Sequence, residues 1–600
     1  MTTVTIDPAS VAGAWLEKLG VATERADAAA AAALFLADGW WRDLLAFTWD
    51  LRTFHGRNAI AAAFGATLAS AGASQFRLEP GKAVVLTDGD PASQWIQAFF
   101  LFETRVARGR GFLRLKSDAG EWRAWTVLTA MEDLKGFEER VGPRRAKGTA
   151  HGEHQERMNW LEERRNEREF VGRDPQVVIV GAGQAGLTVA ARLTQLGVST
   201  LVVEKNDRVG DNWRSRYRSL VLHDPVWYDH LPYMPFPAHW PVFTPKDKLA
   251  GWLESYVDAL ELNVWTKATL LGGDYDEDSG RWTLRVGRNG GERLLHPRHV
   301  VLATGMSGVP SVPAIPGAKT FAGRLCHSSA HSGGEGYAGK SAVVVGCCNS
   351  GHDIAQDFYE RGARVTMVQR SSTYVMSSEN GIKVLFAGVY EEGGPPVDDA
   401  DLMFASIPYP LLADMHRDAT KTIADLDREM LDGLERAGFK LDYGDDGSGI
   451  FLKYLRRGGG YYIDVGCSRL IADGKIAVKQ GVQIERFTAN EVVFTDGSTL
   501  PADIVVLATG YKNMRESARA LVGDNVADRL GLVWGLDEEG ELRTMWRNSG
   551  HPGFWFMGGN LHQCRHYSKA LALQIKAALE GIRADDASLE RREPVRQSTP

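Results

Sequence analysis

The sequence predicts an α/β protein with two nested dinucleotide-binding domains of the Rossmann type, preceded by a small α+β domain. From Gln176 onward, apolar strands alternate with helices, as in a doubly wound parallel sheet. The segments QVVIVGAGQAGLTVAARLTQLGVSTLVVEK and SAVVVGCCNSGHDIAQDFYERGARVTMVQR, which begin at Gln176 and Ser341, align without a gap. A chain of 600 residues also exceeds what one hydrophobic core usually serves, so several domains are expected.

Changes of composition along the chain predict the domain boundaries. Residues 1–140 combine an alanine-rich helical opening with alternating strand-like segments and form the α+β domain. Residues 141–174 are dense in charge and are expected to be a linker with one solvated helix. The repeat VVLATG, at 300–305 and 505–510, indicates where the chain crosses between the nucleotide domains. The first nucleotide domain is expected to comprise 175–315 and 500–600, and the second 316–499 with an insertion at about 380–465.

Composition favours a soluble, cytoplasmic protein without a metal site. The formal net charge is −7 and no long block of like charge occurs, so neither nucleic acid nor a membrane is an expected partner. The five cysteines form no C-x-x-C pair, which is typical of a reducing compartment. The N-terminus MTTVTIDPAS has no export signal, and the apolar stretch Ala28–Ala37 is too short to span a bilayer.

The loop GAGQAG, residues 181–186, has the G-x-G-x-x-G pattern of a dinucleotide site. Gly181 allows the tight turn, Gly183 lets the pyrophosphate approach, and Gly186 allows close packing of a helix whose N-terminus faces the phosphates. Glu204 follows at the end of the second strand, where its carboxylate can accept both ribose hydroxyls. The predicted site suits FAD or NAD and also includes Ala182, Gln184, Ala185 and Lys205.

The loop GCCNSG, residues 346–351, has the same register, with Gly346, Asn349, Ser350 and Gly351 as predicted cofactor contacts. Where the first unit has Glu204, the second has a glutamine followed by Arg370 and Ser371. A guanidinium and hydroxyls bind a 2′-phosphate that a carboxylate would repel, so this site is predicted to prefer NADPH. The alternative is that Arg370 is a solvated charge at the end of a strand.

Cys348 stands where the central glycine of the pattern usually lies nearest the pyrophosphate. Three interpretations are open: a disabled nucleotide site, a redox pair with Cys347, or a working site with one unusual residue. Adjacent cysteines would need a strained ring to form a disulfide. The register shared with the first loop favours a working site.

With these features the sequence resembles the class B flavin-dependent monooxygenases, most closely the plant YUCCA-type and bacterial flavin-containing monooxygenases. The resemblance covers about 174–575. It rests on the two loops and on three further motifs: GDNWRSRYRSLVLHDP at 210–225, LPYMPFP at 231–237 and ATGY at 508–511. FAGRLCHSSAH, 321–331, is similar to the family linker F-x-G-x-x-x-H-S-x-x-[YF], except that His331 replaces the aromatic residue. Baeyer–Villiger relatives carry a different ending, [WF]-[PD], so ketone oxidation is less expected.

The resemblance implies an FAD- and NADPH-dependent monooxygenase. In that family NADPH reduces the flavin and O2 adds to it as a hydroperoxide, while the protein provides position, hydrogen bonds and dryness. The expected substrate is a small organic molecule, oxygenated at nitrogen or sulfur or, for an α-keto acid, oxidatively decarboxylated. A Baeyer–Villiger monooxygenase, an uncoupled NADPH oxidase and a non-catalytic ligand-binding or assembly protein remain alternatives.

The resemblance also assigns residues to the flavin site. Asn212, Trp213 and His223 match positions that line the flavin, and His327 matches the histidine of the linker. Asn212, His223 and His327 are the predicted catalytic residues, and Thr509 and Gly510 are predicted cofactor contacts in ATGY. The segment GGNLHQCRHY, 558–567, is similar to the closing FAD segment, whose helix start faces the flavin ring.

The N-terminal domain resembles the cone-shaped ketosteroid-isomerase-like (SnoaL-like) folds through DGWWRDLLAFTWDLRTFHGRNAIAAAF at 38–64. Such folds serve as enzymes, ligand binders or dimerisation modules, so a homodimer through this domain is one expectation. The residues expected to line a pocket are Asp38, Trp41, Asp43, Asp50 and His55.

Overall fold

The computed structural model describes residues 6–87, 93–148 and 151–583, and the ends of the predicted terminal domains, 1–5 and 584–600, lie outside this range. Two five-stranded parallel sheets form the body of the protein, which confirms the predicted fold class. The first sheet has the spatial order Val264–Trp265, Thr200–Val203, Val177–Val180, His299–Leu302 and Phe554–Phe556. The second has the order Arg324–His327, Ile504–Leu507, Ser341–Val345, Arg364–Gln369 and Ala477–Gln480.

The two VVLATG segments are equivalent strands of the two sheets. His299–Leu302 pairs with Val177–Val180 in the first sheet, and Ile504–Leu507 pairs with Ser341–Val345 in the second. The predicted boundary at residue 500 is therefore corrected, because the second VVLATG strand belongs to the second sheet and the chain returns to the first sheet only after it. Each VVLATG segment therefore lies just before a point where the chain passes from one nucleotide unit to the other, and its strand belongs to the unit that precedes that point.

In each sheet a helix directly follows the glycine-loop strand, Val177–Val180 in the first and Ser341–Val345 in the second, and smaller elements lie around it. The helices of the first unit are Gln184–Gln195, Asp211–Arg214, Lys246–Ala259, Met514–Ala527 and Leu561–Leu579, and those of the second sheet are Asn349–Glu360 and Cys467–Ala472. The antiparallel strands beside the first sheet are Ala268–Asp276, Arg281–Arg288, Gly291–Leu295, Val221–Pro225 and Phe243–Pro245. Those beside the second are Ile484–Phe487, Glu491–Phe494 and Thr499–Pro501.

The insertion predicted at about 380–465 is mainly helical. A two-stranded parallel sheet, Tyr374–Ser377 with Tyr461–Asp464, joins its two ends. Its helices are Ser378–Phe386, Val397–Ala405, Tyr409–Leu426, Arg428–Arg436 and Gly449–Arg457.

The N-terminal domain is a six-stranded sheet with three helices, in agreement with the predicted α+β domain. The strand order is Leu51–His55, Phe35–Leu44, Glu121–Leu134, Ala107–Asp118, Gln94–Glu103 and Ser74–Thr87. The helices are Pro8–Glu24, Ala28–Ala33 and Arg57–Ala71. In the linker after it, the helix Trp160–Glu169 has no buried residue, because its sequence WLEERRNERE is mostly charged.

The residues predicted to line one pocket in this domain do not do so. Trp41 is fully buried and stacks on Phe64 with ring centroids 4.2 Å apart, so aromatic side chains fill the interior. Asp43 is buried and accepts hydrogen bonds from the hydroxyls of Thr48 and Thr129. Asp38 is exposed, Asp50 pairs with Arg547 of the body, and His55 stacks on Trp40.

Among the described residues, no helix combines the length and the apolar character needed to cross a membrane. The same part of the chain contains no group of three or more His, Cys, Asp or Glu side chains arranged to hold a metal ion.

Candidate cofactor and active site

The glycines of the first loop are required by space and by backbone conformation. Gly181 has a φ of 108°, and a Cβ at this residue would lie 2.6 Å from the carbonyl oxygen of Ala303. A Cβ on Gly186 would lie 1.9 Å from the carbonyl oxygen of Gly181. Because no other residue fits at either position, the strand, loop and helix pack as a dinucleotide site requires.

The helix Gln184–Gln195 begins at Gly183 without a side-chain cap, so its first backbone N–H groups are available to a phosphate. Glu204 is buried behind this loop, and its carboxylate accepts hydrogen bonds from the backbone N–H groups of Ala182 and Asn206, both at 2.8 Å. Each carboxylate oxygen has a second lone pair, which leaves acceptors for ribose hydroxyls. Ala185 is buried in the helix, and Lys205 is exposed.

The second loop repeats this geometry. Gly346 has a φ of 112°, and a Cβ there would lie 2.3 Å from the carbonyl oxygen of Ala508. A Cβ on Gly351 would lie 2.0 Å from the carbonyl oxygen of Gly346. The helix Asn349–Glu360 also begins without a side-chain cap. Both loops therefore present backbone N–H groups at the start of a helix that packs closely on its strand.

Cys348 fits the second loop without backbone strain. Its φ and ψ are −98° and −173°, and Gly183 has the similar values −78° and −179°, so both lie in the extended region that any residue adopts. Burial raises the pKa of the Cys348 thiol, and burial also raises the pKa of Cys347, whose sulfur faces the carbonyl oxygen of Val368. Both thiols are therefore held protonated, which argues against the redox pair.

The residue that corresponds to Glu204 is bound within the protein. Gln369 is buried, donates to the carbonyl oxygen of Lys440 at 2.9 Å and accepts from the Lys440 N–H at 2.7 Å. The next two residues, Arg370 and Ser371, are exposed at the end of the strand. A cation and a hydroxyl are thus accessible where the first unit places a carboxylate.

Several polar atoms near the first loop are buried and have no hydrogen-bond partner among the described residues. They include Trp213 Nε1 and Thr304 Oγ1. The Asn212 amide lies 3.2 Å from where a Cβ on Gly183 would stand, and the Gln184 amide donates to the carbonyl oxygen of Gly559 at the start of the closing helix. Unpartnered polar atoms around a glycine-lined space fit a bound FAD.

His223 lies where the two nucleotide units meet. Its Nε2 is 3.7 Å from Asp353 Oδ2 in the first turns of the second unit's helix, and its Nδ1 is buried without a partner in the described part of the chain. Tyr217 donates to the same Asp353 oxygen at 2.7 Å, and Ser350 hydrogen-bonds to Tyr217. Asn349 accepts from the Ile463 N–H of the insertion at 2.9 Å. These contacts connect residues 210–230, which we call the flavin-side loop, to the second unit.

His327 is held by the backbone at both ring nitrogens. Its Nε2 donates to the carbonyl oxygen of Gly510 at 2.9 Å, and its Nδ1 accepts from the Ser329 N–H at 3.1 Å. Thr509 donates to the carbonyl oxygen of Ser311 at 2.6 Å. Both ring nitrogens of His327 are thus engaged within the protein, and its Nε2 contact holds the Thr509–Gly510 turn. Its catalytic role stays a prediction.

His331 takes the structural place of the aromatic residue that ends the linker motif. It is 1% exposed and its ring packs against Phe358, with centroids 4.9 Å apart. Burial lowers the pKa of His331, so the ring is neutral and packs like the aromatic ring it replaces. His331 is therefore a buried, packed residue of the linker motif.

Two carboxyl groups that the sequence analysis did not assign lie beside His223. Burial raises the pKa of Asp224 to about 6, although the neighbouring His223 lowers it. Burial, followed by the Asp224 carboxyl, raises the pKa values of Tyr228 and Tyr461. Asp229 is 1% exposed, and neither of its carboxylate oxygens has a hydrogen-bond partner among the described residues. The signal that could have identified this site is the acid within VLHDP, directly after His223.

A cavity of about 340 Å3 lies between the flavin-side loop and the end of the linker motif 321–331. Its lining is basic and hydroxylic: Arg214, Ser215, Arg216, Arg218, Lys246, Ser329, Ala330, His331 and Ser332. Arg214 and Arg218 form ion pairs with Glu254 and Glu335, whereas Arg216 contacts the hydroxyl of Tyr511. Such a cavity suits an anionic group.

Comparison with known proteins finds similarity over the two nucleotide units. The family model "Pyridine nucleotide-disulphide oxidoreductase" matches residues 178–384. The chain is 34% identical over 341 residues to the indole-3-pyruvate monooxygenase YUCCA1 of Oryza sativa subsp. japonica, which covers 56% of this chain and 77% of that protein. It is 33% identical over 338 residues to the probable indole-3-pyruvate monooxygenase YUCCA9 of Arabidopsis thaliana, with 56% and 75% covered.

Among solved structures, the closed crystal structure of cyclohexanone monooxygenase superposes with a TM-score of 0.51 at 17% identity. The superposition covers 68% of this chain and 85% of that chain. At this identity the likeness shows a shared fold.

Proposed function

Since the chain belongs to the class B flavin-dependent monooxygenases, we propose that it uses NADPH and O2 to oxygenate a small organic substrate at nitrogen or sulfur. The protein is an FAD- and NADPH-dependent oxidoreductase, so the non-catalytic alternative is set aside. When bound, the two cofactors supply hydride transfer and oxygen activation, and the protein supplies binding, orientation and exclusion of water.

In this proposal the first loop, Gly181 to Gly186, holds FAD together with Glu204, and the second loop, Gly346 to Gly351, holds NADPH. Arg370 and Ser371 bind the 2′-phosphate, because they are accessible and no carboxylate lies at the strand end. The roles assigned by resemblance to Asn212, Trp213, Thr509 and Gly510 at the cofactors belong to the same proposal.

The observation that carries the choice of substrate is Asp224. This carboxyl lies next to His223, near the buried phenols of Tyr228 and Tyr461 and near the unpartnered Asp229. A substrate carboxylate brought to this group would be repelled in a low-dielectric site, whereas a positively charged group of the substrate is attracted to it. The atom that is oxygenated is an uncharged amine nitrogen or sulfur, because a protonated nitrogen has no lone pair to accept an oxygen atom. An uncharged or cationic nitrogen or sulfur compound is therefore the preferred substrate class. His223 acts from the flavin side as a hydrogen-bond donor.

A second candidate is oxidative decarboxylation of an α-keto acid. Two observations support it: the plant relatives are indole-3-pyruvate monooxygenases, and a basic cavity contains Arg216. In this case the substrate carboxylate binds Arg216, which has no carboxylate partner in the described part of the chain.

The test measures the stoichiometry of NADPH and O2 consumed against peroxide and product formed. Three substrate panels are used: tertiary amines and sulfides, α-keto acids including indole-3-pyruvate, and cyclic ketones. We expect one oxygen atom to be added to an amine or sulfide, with product equal to the NADPH oxidised. Product from α-keto acids alone selects the second candidate, and an ester from a ketone selects Baeyer–Villiger chemistry. Peroxide equal to NADPH in all three panels indicates an uncoupled oxidase and overturns the proposal.

Two variants distinguish the substrate classes at the site itself. Asp224→Asn should raise KM for amines and leave α-keto acids unaffected or improved. Arg216→Gln should raise KM for α-keto acids and leave amines unaffected. If both variants change both classes equally, neither residue selects the substrate.

We further propose a ketosteroid-isomerase-like identity for the N-terminal domain and a cytoplasmic location for the protein. The six-stranded sheet with three helices supports the first, and five free cysteines support the second. A homodimer through the N-terminal domain would have to use a surface other than the open face of its sheet, because the body of the same chain covers that face.

A further inference from the structure

The N-terminal domain is joined to the body by a buried arginine. Arg42 is 1% exposed and forms a two-point ion pair with Glu541, with both N–O distances 2.7 Å. Its Nη1 donates to the carbonyl oxygen of Ala405 at 2.7 Å, and its Nη2 also donates to the hydroxyl of Tyr567 at 3.1 Å. Thr53 donates to the same Glu541 at 2.7 Å. A buried pair of this kind is costly to break because either partner left alone is an uncompensated charge.

Further ion pairs surround this contact. Each joins one side chain of the N-terminal sheet to one of the body: Asp50 with Arg547 at 2.6 Å, Arg52 with Glu539 at 2.6 Å, and Glu132 with Lys569 at 2.5 Å. A cavity of about 110 Å3 lies in this interface, a volume that holds a few water molecules rather than a cofactor. The contact is therefore a closely packed interface and fixes the orientation of the domain.

The face of the N-terminal sheet that contacts the body also contacts one helix of the insertion, Val397–Ala405. Asp399 accepts from Lys82 at 2.8 Å and from Arg110 at 2.5 Å. Arg114 donates to the carbonyl oxygen of Met403 at 3.2 Å and to the hydroxyl of Ser406 at 2.6 Å. Arg114 and Arg42 thus hydrogen-bond carbonyl groups of the last turn of the helix, at Met403 and Ala405. Their positive charges lie at the negative end of the helix dipole, where they stabilise the helix.

The opposite side of this helix contacts the closing helix, Leu561–Leu579, through Asp401. Asp401 forms a two-point ion pair with Arg565 of the closing helix, at 2.7 and 2.8 Å, and Arg565 also donates to the carbonyl oxygens of Tyr228 and His230. Tyr228 is in turn bonded to Asn560, the N-cap of the closing helix, at 3.3 Å. The N-terminal domain and the flavin-side loop are thus connected through Asp399 and Asp401 of one nine-residue helix.

We propose that the N-terminal domain positions the active site by clamping the helix Val397–Ala405, so that NADPH consumption stays coupled to oxygenation. A nine-residue helix without a side-chain cap does not persist in water unless it is packed. Released from the N-terminal domain, it no longer holds Arg565 and the Tyr228–His230 loop, and water enters the site. The coupling part of this inference rests on the proposed function, whereas the clamping part stands independently.

The test uses Asp399→Lys in the full-length protein, with Asp432→Lys as the control. Both changes reverse a charge on a helix of the insertion, but Asp399 is buried against Lys82 and Arg110, while Asp432 is exposed in the helix Arg428–Arg436. The first measurement is hydrogen exchange of the 397–405 amides, which needs no substrate. We expect Asp399→Lys to raise the exchange rate at least about tenfold and Asp432→Lys to leave it unchanged.

The second measurement is the peroxide released per NADPH oxidised, with FAD content and the anaerobic rate of flavin reduction as controls. We expect Asp399→Lys to raise the peroxide fraction several-fold while both controls stay at the wild-type value. If Asp399→Lys fails to fold, Lys82→Ala tests the same contact with a milder change. Unchanged exchange overturns the clamp, and faster exchange with unchanged coupling overturns the positioning role. A wild-type protein that forms no product contradicts the proposed function instead.

Discussion

The two nucleotide loops have nearly the same backbone and different side chains. Gly181 and Gly346 have φ values of 108° and 112°, and the two packing glycines, Gly186 and Gly351, leave equally little space for a Cβ. All four positions between these glycines differ, including Cys348 in place of Gly183, and the second strand ends in Gln-Arg where the first unit has Glu-Lys. The geometry that binds a pyrophosphate is thus duplicated, and cofactor choice is left to the residues at the end of the second strand.

The largest expected effect comes from the same substitution in each loop. Gly186→Ala places a Cβ 1.9 Å from the Gly181 oxygen, and Gly351→Ala places one 2.0 Å from the Gly346 oxygen. Overpacking of about 1–3 kcal/mol corresponds to roughly 5–150-fold in affinity. We expect Gly186→Ala to lose FAD, measured as flavin absorbance per protein, and Gly351→Ala to keep FAD but bind NADPH weakly.

Gly251→Ala, in the helix Lys246–Ala259, is the control, because the added Cβ would have no atom within 4 Å other than those of its own helix backbone. Loss of FAD in both loop variants would mean that the two loops do not bind separate nucleotides.

The next effect sharpens the difference at the strand ends. Arg370→Ala should weaken NADPH binding about tenfold or more, since a charge-assisted hydrogen bond contributes about 1.5–3 kcal/mol, and should leave NADH unaffected. The measurement is the KM of each nucleotide for flavin reduction. Arg364→Ala, at the other end of the same strand, is the control. Equal weakening of NADPH and NADH would contradict the 2′-phosphate assignment.

A pH dependence is expected where the two units meet. Burial raises the pKa of Asp224 to about 6, so this carboxyl is ionised above pH 6 and neutral below it. With a sulfide substrate that also carries a quaternary ammonium group, kcat/KM should fall as pH drops below 6, approaching about tenfold per pH unit. The pH profile of Asp224→Asn should be flat over the same range. A wild-type profile without an inflection near pH 6 would remove Asp224 from substrate binding.

The smallest effect is expected from making the loops alike at Cys348. Cys348→Gly removes a side chain whose backbone is already extended, as at Gly183, so NADPH affinity and peroxide release should change by less than about fivefold. Titration with NADPH and a peroxide assay measure both. A larger change would show that the thiol contributes to pyrophosphate binding.

The sequence was sufficient to predict features that depend on local backbone constraints. The two loops, their helices and the buried strands follow from glycine positions and apolar runs, which act over a few residues. The contact of His327 with Gly510 was not predicted, because it depends on how distant strands are placed. The contact of Arg42 with Glu541 could not be predicted, since the pairing of two charges so far apart in sequence is set only by tertiary structure.

The Arg42–Glu541 contact also has a consequence for synthesis of the chain. The two residues are 499 positions apart, so at about 5–20 residues per second a ribosome needs roughly 25–100 s to add the second after the first. During that time the nascent N-terminal domain exposes the sheet face that the finished protein covers. On that face the cations Arg42, Arg52, Lys82, Arg110 and Arg114 outnumber the carboxylates Asp50, Glu79 and Glu132. This excess of positive charge hinders pairing between neighbouring nascent chains until the C-terminal residues arrive.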